Sequence, residues 1–548
     1  MSNTQEYVVT AKTMDDATSL LDDMETPGGD LYIPHRQVEV AQRREISRNT
    51  HFLITEDEAN QLRNDPRVLS VELLPSITGM VPELYWVQTG NFEKAEIPDS
   101  QDKNWGLYRV AAGTPLTNWG TNGAFTQTTQ TVTTTSSGKN VDVVVVDAHI
   151  NPNHPEFKQN ADGTGVSRVN QYDWFQHSAA LGFSTTGAYD YSDISSNHGT
   201  HVAGTMAGNT QGWARDSTIY NMEFIYAGSN GPVGDWALYL FDYIRAFHTS
   251  KPINTATGKR NPTVTNHSWG YSYGQINLSS VTSVTYRGAT TPVTGTNAAR
   301  KAILEANGVP VPFNTILYRP PARYVALDAD IQDAIADGIL VISSAGNSYW
   351  NCATPDIADW NNTLTAGFTW NHMQGSSPGA ADGVICVGSI GTVTQEYKSN
   401  FSNFGKRVDI WGPGSNIVSG VFDSTAASEF GITLVDDPRD SNYKLGSISG
   451  TSMSGPQVAG YLACVAENQP RITQAEALAH LISTSKAQVG TTGGGAGDST
   501  SLGDSSNNRY LFYKVVRPIT GAVSPAVRFK DRPASGAIYP RTRIRRYG

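Results

Sequence analysis

Runs of almost unbroken apolar, β-branched residues alternate with helical patterns between positions 140 and 486. Four such runs lie at positions 141–146, 263–266, 339–343 and 384–387. Strands that are apolar on both faces are typical of parallel sheets covered by helices on both sides. Between the runs lie amphipathic stretches such as 326–337, 457–467 and 473–486. The alternation predicts an α/β fold on an open parallel sheet, whose functional edge lies at the carboxyl ends of the strands.

The first 75 residues have a different pattern. Their periodicity predicts the order β-α-β-β-α-β, and Thr55 with Glu58 forms a capping box that opens the second helix. This order is typical of a small α+β, ferredoxin-like sandwich. We therefore predict a separate domain at 1–76, a linker at 77–104, the α/β domain at 105–487, and a glycine-rich connector with a tail at 488–548.

Composition excludes several classes of protein. The chain has 548 residues and a formal net charge of -10, which argues against a globally basic nucleic-acid binder. The sequence contains no run of about 18 apolar residues, the length that would predict a membrane-spanning helix. The amino terminus lacks the basic-then-apolar pattern of a secretion signal, and three cysteines cannot form a disulfide framework. These features favour a reducing, cytoplasmic setting.

The last 40 residues form a basic, aromatic-rich tail. They hold ten Lys or Arg residues against one Asp, so their net charge is +9 and that of the remaining chain is -19. Three interpretations stay open: attachment to the acidic body of the chain, assembly onto a partner, and, least favoured, nucleic-acid binding.

Four side chains with chemical potential follow the predicted strands or begin predicted helices. Asp147 directly follows the run 141–146, and His198 begins a helical stretch of small residues. Asn347 follows the run 339–343, and Ser452 lies where Gly450 and Pro456 predict a helix that begins just beyond it. Each residue alone could be structural, as a turn former, a packed histidine or a helix cap.

The order Asp, His, Asn, Ser along one α/β chain resembles that of subtilisin-like serine proteases, the subtilases. Further strings in family order support the resemblance: Asn104-Trp105-Gly106-Leu107, His154-Pro155-Glu156-Phe157, Ser399-Asn400-Phe401-Ser402-Asn403-Phe404-Gly405 and Asp409-Ile410-Trp411-Gly412-Pro413-Gly414. The resemblance covers about residues 104–486 and implies a three-layer catalytic domain around a parallel sheet.

The resemblance also implies roles for single residues. Ser452 would be the nucleophile, His198 the general base within reach of its hydroxyl, and Asp147 the residue that orients the imidazole. Asn347 would donate to the oxyanion together with a backbone N–H near Ser452. His201, one turn beyond His198, is the rival base, but its position in the motif predicts that it is packed.

Substrate would bind as an extended protein or peptide segment. Ser268, Trp269 and Gly270 match the family strand that pairs with substrate through main-chain hydrogen bonds. Ala345 and Gly346 would line the pocket for the side chain before the scissile bond. Trp269, where the family more often has leucine, fits either a binding subsite or a core anchor.

The amino-terminal domain resembles the inhibitory propeptides of subtilases, which implies a self-inhibited zymogen that is cleaved between about Pro75 and Trp105. In this interpretation, the domain is an intramolecular inhibitor of the enzyme. No cofactor is required for the chemistry and no metal ligands are predicted. Structural calcium is common in the family, but no acidic loop here has spacing that identifies its ligands.

Departures from the family pattern leave a second function open. Ala148-His149 replaces a small residue and glycine, Ser454-Gly455 precedes Pro456, and residues 271–325 form an insertion expected on the surface near the cleft. None removes a group that the mechanism needs. The alternative is a catalytically silent subtilase-fold module for structure or assembly. The tail is similar to those of subtilases from tailed bacteriophages, which would place the protein in an infected cell or a virion.

Overall fold

The structure is a computed structural model, and it describes residues 4–29, 31–32, 40–84, 104–113, 134–185, 187–192, 196–223, 233–391, 396–490, 502 and 506–514. The chain forms two compact units, Met1–Val515 and Val516–Gly548, and every described residue belongs to the first. The predictions for the linker beyond Leu84, most of the glycine-rich connector and the basic tail after Lys514 lie outside the described residues.

In chain order, the described elements are β1 (Gln5–Ala11), α1 (Met14–Glu25), β2 (Val40–Arg43), β3 (Asn49–Ile54), α2 (Glu56–Arg63), β4 (Val68–Leu73), α3 (Pro75–Thr78), β5 (Val81–Leu84), α4 (Trp105–Ala112), β6 (Asp142–Asp147), β7 (Val169–Asn170), α5 (His198–Ala207), β8 (Thr218–Glu223), α6 (Val233–Trp236), α7 (Leu240–Ser250), β9 (Thr263–His267) and β10 (Trp269–Ser272). They continue with β11 (Gln275–Asn277), β12 (Ser283–Tyr286), β13 (Ala289–Pro292), α8 (Asn297–Ala306), β14 (Ile316–Tyr318), α9 (Val325–Ala336), β15 (Leu340–Ser344), β16 (Thr363–Thr365), β17 (Thr369–Asn371), β18 (Ile385–Ile390), β19 (Ile410–Pro413), β20 (Ile417–Val421), α10 (Ala426–Phe430), β21 (Val435–Asp437), β22 (Asp440–Ile448), α11 (Thr451–Asn468) and α12 (Gln474–Thr484).

A parallel sheet forms the centre of the α/β region. Its strand order is β19-β18-β15-β9-β6-β8-β7, and all neighbouring strands run parallel. The four apolar runs seen in the sequence are strands β6, β9, β15 and β18, which confirms the α/β prediction. Strands β6, β9 and β15 are completely buried, as their sequences predict.

Helix α11 differs from the prediction at its start. It begins at Thr451, so Ser452 is the second helical residue and Pro456 the sixth. The prediction placed the start just beyond Ser452, so the observed start lies about two residues earlier. A proline further inside a helix removes one i→i−4 hydrogen bond, and here the affected acceptor is the carbonyl oxygen of Ser452.

The amino-terminal module follows the order β-α-β-β-α-β, with an antiparallel sheet in the order β2-β3-β1-β4. The capping box at the start of α2 is present as predicted: Thr55 accepts from the Glu58 N–H, and the Glu58 carboxylate accepts from the Thr55 N–H at 2.7 Å. The module has its own apolar core, which includes Tyr7, Leu20 and Phe52.

Buried charged groups hold this module against helices α7 and α9. The Arg44 guanidinium donates to Asp242 on α7 at 2.8 Å and to Asp330 on α9 at 2.6 Å, and all three side chains are buried. The Glu72 carboxylate accepts from the N–H groups of Val325 and Ala326 at 3.3 and 3.0 Å. These N–H groups belong to the first turn of α9, where the helix dipole favours a negative charge.

The insertion after β10 folds together with a later hairpin of the chain, formed by β16 and β17. Strands β13, β12, β16 and β17 form one antiparallel sheet across the two segments, and β11 pairs with β14 within the insertion. Its core contains Leu278, Val284, Leu304 and Leu317, all fully buried. The polar composition of this segment predicted only a surface excursion, because the buried positions are spread along short strands.

Within the described ranges, none of the helices combines the length and apolar character that crossing a membrane requires.

Candidate active site

Asp147 and His198 meet at the carboxyl edge of the central sheet. Asp147 is the last residue of β6 and His198 the first of α5, and both side chains are completely buried. His198 Nδ1 lies 2.7 Å from Asp147 Oδ1, which also accepts from the Ala148 N–H at 2.8 Å. The carboxylate therefore fixes the imidazole tautomer with the proton on Nδ1 and leaves Nε2 as an acceptor.

Ser452 and Ser268 form a reciprocal pair of hydrogen bonds. The Ser452 hydroxyl donates to the Ser268 carbonyl oxygen at 3.0 Å, and the Ser268 hydroxyl donates to the Ser452 carbonyl oxygen at 3.0 Å. The second bond replaces the helical donor that Pro456 lacks. Ser268 thus donates to a buried carbonyl whose usual i+4 helical donor is missing.

The hydrogen bond expected between Ser452 and His198 is not formed in this structure. Since the Ser452 hydroxyl donates to Ser268, the buried His198 Nε2 is left without a hydrogen-bond partner among the described residues. Helices α5 and α11, which carry the two residues, pack directly against each other. The Ser452 hydroxyl would have to leave the Ser268 carbonyl oxygen before it could donate to the imidazole.

Asn347 is held by its carbonyl oxygen alone. Its Oδ1 accepts from the N–H and the hydroxyl of Thr451 at 2.9 and 2.8 Å. Its Nδ2 is buried and makes no hydrogen bond to any residue that the structure describes. The side chain is therefore oriented with a free donor, next to the residue that precedes Ser452.

Strand β10 is paired with a segment of the same chain. Residues Trp269–Ser272 run antiparallel to Val81–Leu84, with Trp269 opposite Leu84 and Gly270 opposite Glu83. The edge predicted to hold an extended substrate is thus occupied by β5, which follows the amino-terminal module. Ser268, the residue that precedes β10, contacts Ser452.

The remaining predicted binding residues are buried beside this strand. Trp269 is completely buried in the core cluster that also holds Tyr271 and Trp236, so its core-anchor interpretation is supported. Ala345 and Gly346 follow β15, and the Gly346 N–H donates to the Thr451 hydroxyl at 3.1 Å. Gly346 has a positive φ of 102°, which favours glycine.

The other histidines near the motif make structural contacts. His201 Nε2 lies 3.0 Å from the Ile417 carbonyl oxygen, which agrees with the prediction that it is packed. His154 Nε2 lies 3.0 Å from the Lys444 carbonyl oxygen, and its Nδ1 accepts from the Glu156 N–H at 3.2 Å. Burial lowers the pKa of His154, which keeps this ring neutral.

Two buried carboxylates of the described chain are paired with protein groups. No group of three or more His, Cys, Asp or Glu residues suited to a metal occurs in the part of the chain that the structure describes. The buried carboxylates of Glu156 and Asp437 are instead bridged by the Arg439 guanidinium, which lies 2.6 Å from Asp437. Glu156 also accepts from the N–H groups of Thr210 and Gln211 at 3.0 and 3.1 Å. Its oxygens therefore already accept hydrogen bonds from the protein.

Three contacts at this site were missed by sequence reasoning. Thr451 orients Asn347, the Ser268 hydroxyl satisfies the Ser452 carbonyl, and Glu223 pairs with His149. The position of Thr451 beside Ser452 was visible, but its partner is 104 residues away. Only the unusual histidine at 149 and the proline at 456 gave a local signal that such partners exist.

Comparison with known proteins supports the expected family. The model of the subtilase family matches residues 138–509. A subtilisin-like serine protease, Cla h 9.0101 of Davidiella tassiana, is 26% identical over 377 residues, which are 69% of this chain and 51% of that protein. The subtilisin-like proteinase Spm1 of Pyricularia oryzae is 24% identical over 71% of this chain and 52% of its own length. The chain thus spans about half the length of these relatives.

Among solved structures, fervidolysin from Fervidobacterium pennivorans, a keratinolytic enzyme related to subtilisin, is 18% identical. Its alignment covers 93% of this chain and 60% of fervidolysin, with a TM-score of 0.49. A cold-adapted subtilisin-like serine proteinase is 21% identical over 75% of this chain and 98% of its own, with a TM-score of 0.43.

Proposed function

Because the chain belongs to the subtilase family, we propose that it is a serine endopeptidase, made as a precursor that its own amino-terminal module inhibits. One observation carries the proposal. Two buried polar atoms, His198 Nε2 and Asn347 Nδ2, make no hydrogen bond to any described residue. A buried polar atom without a partner costs roughly 1–3 kcal/mol. These two are the acceptor and the donor that acyl transfer from a serine requires.

In the proposed mechanism, the Ser452 hydroxyl turns from the Ser268 carbonyl to His198 Nε2. His198 takes the proton as Ser452 attacks the carbonyl carbon of the substrate, and Asp147 stabilises the imidazolium through Nδ1. Asn347 Nδ2 donates to the oxyanion of the tetrahedral intermediate. His198 then gives the proton to the leaving amine, and a water molecule hydrolyses the acyl-enzyme by the same steps in reverse.

The pairing of β5 with β10 supports the zymogen proposal. Substrate would bind as an extended strand on β10, in the place that Val81–Leu84 occupies in the intact chain. Leu84 pairs with Trp269. Because the pairing is antiparallel, the chain after Leu84 heads toward Ser268, the residue before Trp269, which contacts the proposed nucleophile. We therefore place the self-cleavage site in the few residues that follow Leu84, within the range that the sequence predicted.

A fluorophosphonate probe tests the proposed activity. The processed protein should be labelled at Ser452, and Ser452→Ala should remove the label and leave the chain uncut. Ser454→Ala is a matched control, because Ser454 is buried two residues further along α11 and donates to the Thr451 carbonyl oxygen. It should label and process like the wild type. A chain that is never labelled, even after removal of residues 1–84, would contradict the proposed endopeptidase activity.

The second candidate function is a silent structural or assembly module. It is favoured by the complete burial of Asp147, His198 and Ser452 and by the buried Arg44 ion pairs that hold the amino-terminal module in place. Absence of labelling combined with a permanently intact chain would support it.

A further inference from the structure

A second histidine–carboxylate pair lies beside the first. Glu223 ends strand β8, as Asp147 ends the neighbouring strand β6, and the two residues are paired in the parallel register. His149 Nδ1 lies 2.7 Å from Glu223 Oε1, and both side chains are buried, with exposed fractions of 4% and 1%. His149 is the residue whose presence at this turn departs from the family pattern.

Glu223 provides a fixed anchor for His149. The Glu223 N–H donates to the Tyr189 hydroxyl at 3.1 Å, and that hydroxyl donates to the Glu223 carbonyl oxygen at 3.0 Å. The Trp236 indole donates to the same carbonyl at 3.1 Å. Asn221 donates to the Glu223 carboxylate at 3.2 Å. Because backbone and side chain are both held, the carboxylate cannot follow His149 if the loop shifts.

His149 lies on a loop that touches both members of the first pair. The preceding residue, Ala148, donates its N–H to Asp147 Oδ1, the atom that also accepts from His198. The His149 carbonyl accepts from the Thr200 hydroxyl at 3.3 Å, in the first turn of α5. A Cβ on Gly199 would lie 2.1 Å from the Ala148 carbonyl oxygen, so helix and loop are in direct backbone contact.

We propose that Glu223 and His149 are positioning residues for catalysis, which set the loop against which Asp147 and His198 are aligned. The inference rests on the proposed endopeptidase function. If the anchor is lost, the loop carrying the Ala148 N–H shifts, and the start of α5 shifts with it. A displacement of about 1 Å at a reacting group can lower a rate by about 100-fold.

The test compares Glu223→Ala and His149→Ala with the wild-type protein after processing, on one chromogenic peptide. We expect kcat to fall by about 10- to 100-fold in both variants with little change in KM. The pH at which kcat/KM is half-maximal should also move, because it reports the state of the misaligned base. Glu223→Gln keeps an oxygen that can accept from His149 Nδ1 and should restore most of kcat.

The control is Asp142→Asn at the opposite end of β6, where the buried Asp142 carboxylate lies 2.9 Å from Lys251 Nζ. This variant should lose thermal stability but keep the wild-type kcat and pH profile. If Glu223→Ala keeps the wild-type kcat and pH profile, the inference is overturned but the proposed function is not. The same holds if Glu223→Ala loses stability without a change in kcat, which is the behaviour expected of Asp142→Asn. A wild-type protein that never reacts with the fluorophosphonate would overturn the proposed function, and the inference with it.

Discussion

The hydroxyls of Ser268 and Ser452 each donate to the carbonyl oxygen of the other residue, both at 3.0 Å. The pair joins the strand that would bind substrate to the first turn of α11. The Ser268 hydroxyl stands in for the i+4 donor, because Pro456 cannot donate to the Ser452 carbonyl. The proposed nucleophile is therefore held by the same residue that borders the scissile position.

Ser268→Ala should destabilise the fold by about 1–3 kcal/mol, because the buried Ser452 carbonyl loses its replacement donor. Urea unfolding, measured in a His198→Ala background to prevent self-cleavage, would show this. Ser454→Ala should cost less, about 0.5 kcal/mol, since the Thr451 carbonyl it donates to also accepts from Ser344 at 3.0 Å. Equal stability of Ser268→Ala and wild type would contradict the role assigned to Ser268.

Asn347→Ala should lower kcat by about 100- to 1,000-fold with little change in KM, since the donor acts on the oxyanion and not on bound substrate. Steady-state kinetics of the processed enzyme would measure the loss. A variant that raises KM and keeps kcat would instead assign Asn347 to substrate binding.

The mature amino terminus should lie within a few residues after Leu84. Intact-mass and amino-terminal sequencing of wild-type protein would locate it, and Ser452→Ala should remain whole. A terminus upstream of Val81 would disagree with β5 as the segment that presents the cleaved bond.

Association of the cleaved amino-terminal module should weaken as the pH rises. Loss of hydration raises the pKa of Glu72 to about 7 in the docked state, despite its hydrogen bonds from the Val325 and Ala326 N–H groups. A released Glu72 would have an ordinary pKa of about 4.3, so docking takes up a proton and is favoured below pH 7. Burial also raises the pKa of Asp235, which accepts from Ser76, and this contributes with the same sign.

Size-exclusion chromatography of the processed complex at pH 5 and pH 8 measures this dependence. We expect at least about 10-fold weaker association at pH 8. Glu72→Gln keeps an acceptor for the helix N–H groups and should flatten most of the dependence. Tighter association at pH 8 would show that another group controls docking.

Arg439→Met should destabilise the protein by about 3–5 kcal/mol, because Glu156 and Asp437 would remain buried without their shared cation. Thermal unfolding with and without a calcium chelator measures the effect. Lys444→Met on the same hairpin breaks an ion pair with the exposed Asp436 and should cost about 0–1 kcal/mol. A strong effect of the chelator on the wild type would show that a metal site exists elsewhere.

The sequence predicted the parts of the site whose signal is local. Asp147 ends one strand and Asn347 follows another, and the apolar composition of both strands identifies them; His198 begins a helix of small residues. The partners of these residues were not predictable, because Ser268 and Ser452 are 184 positions apart and Arg439 and Glu156 are 283 apart. Such contacts carry no periodicity, and only the folded chain brings them together.

The orientation of Asn347 has a consequence for how this position can change. Thr451 donates two hydrogen bonds to Asn347 Oδ1, one from its N–H and one from its hydroxyl. One carboxylate oxygen of an aspartate at 347 could accept both of these bonds. The same aspartate would direct a negative oxygen toward the substrate carbonyl in place of the Nδ2 donor. The exchange would keep the contact with Thr451 but bury a second carboxylate oxygen that has no donor among the described residues. One substitution at 347 would thus remove the proposed oxyanion donor and also destabilise the fold.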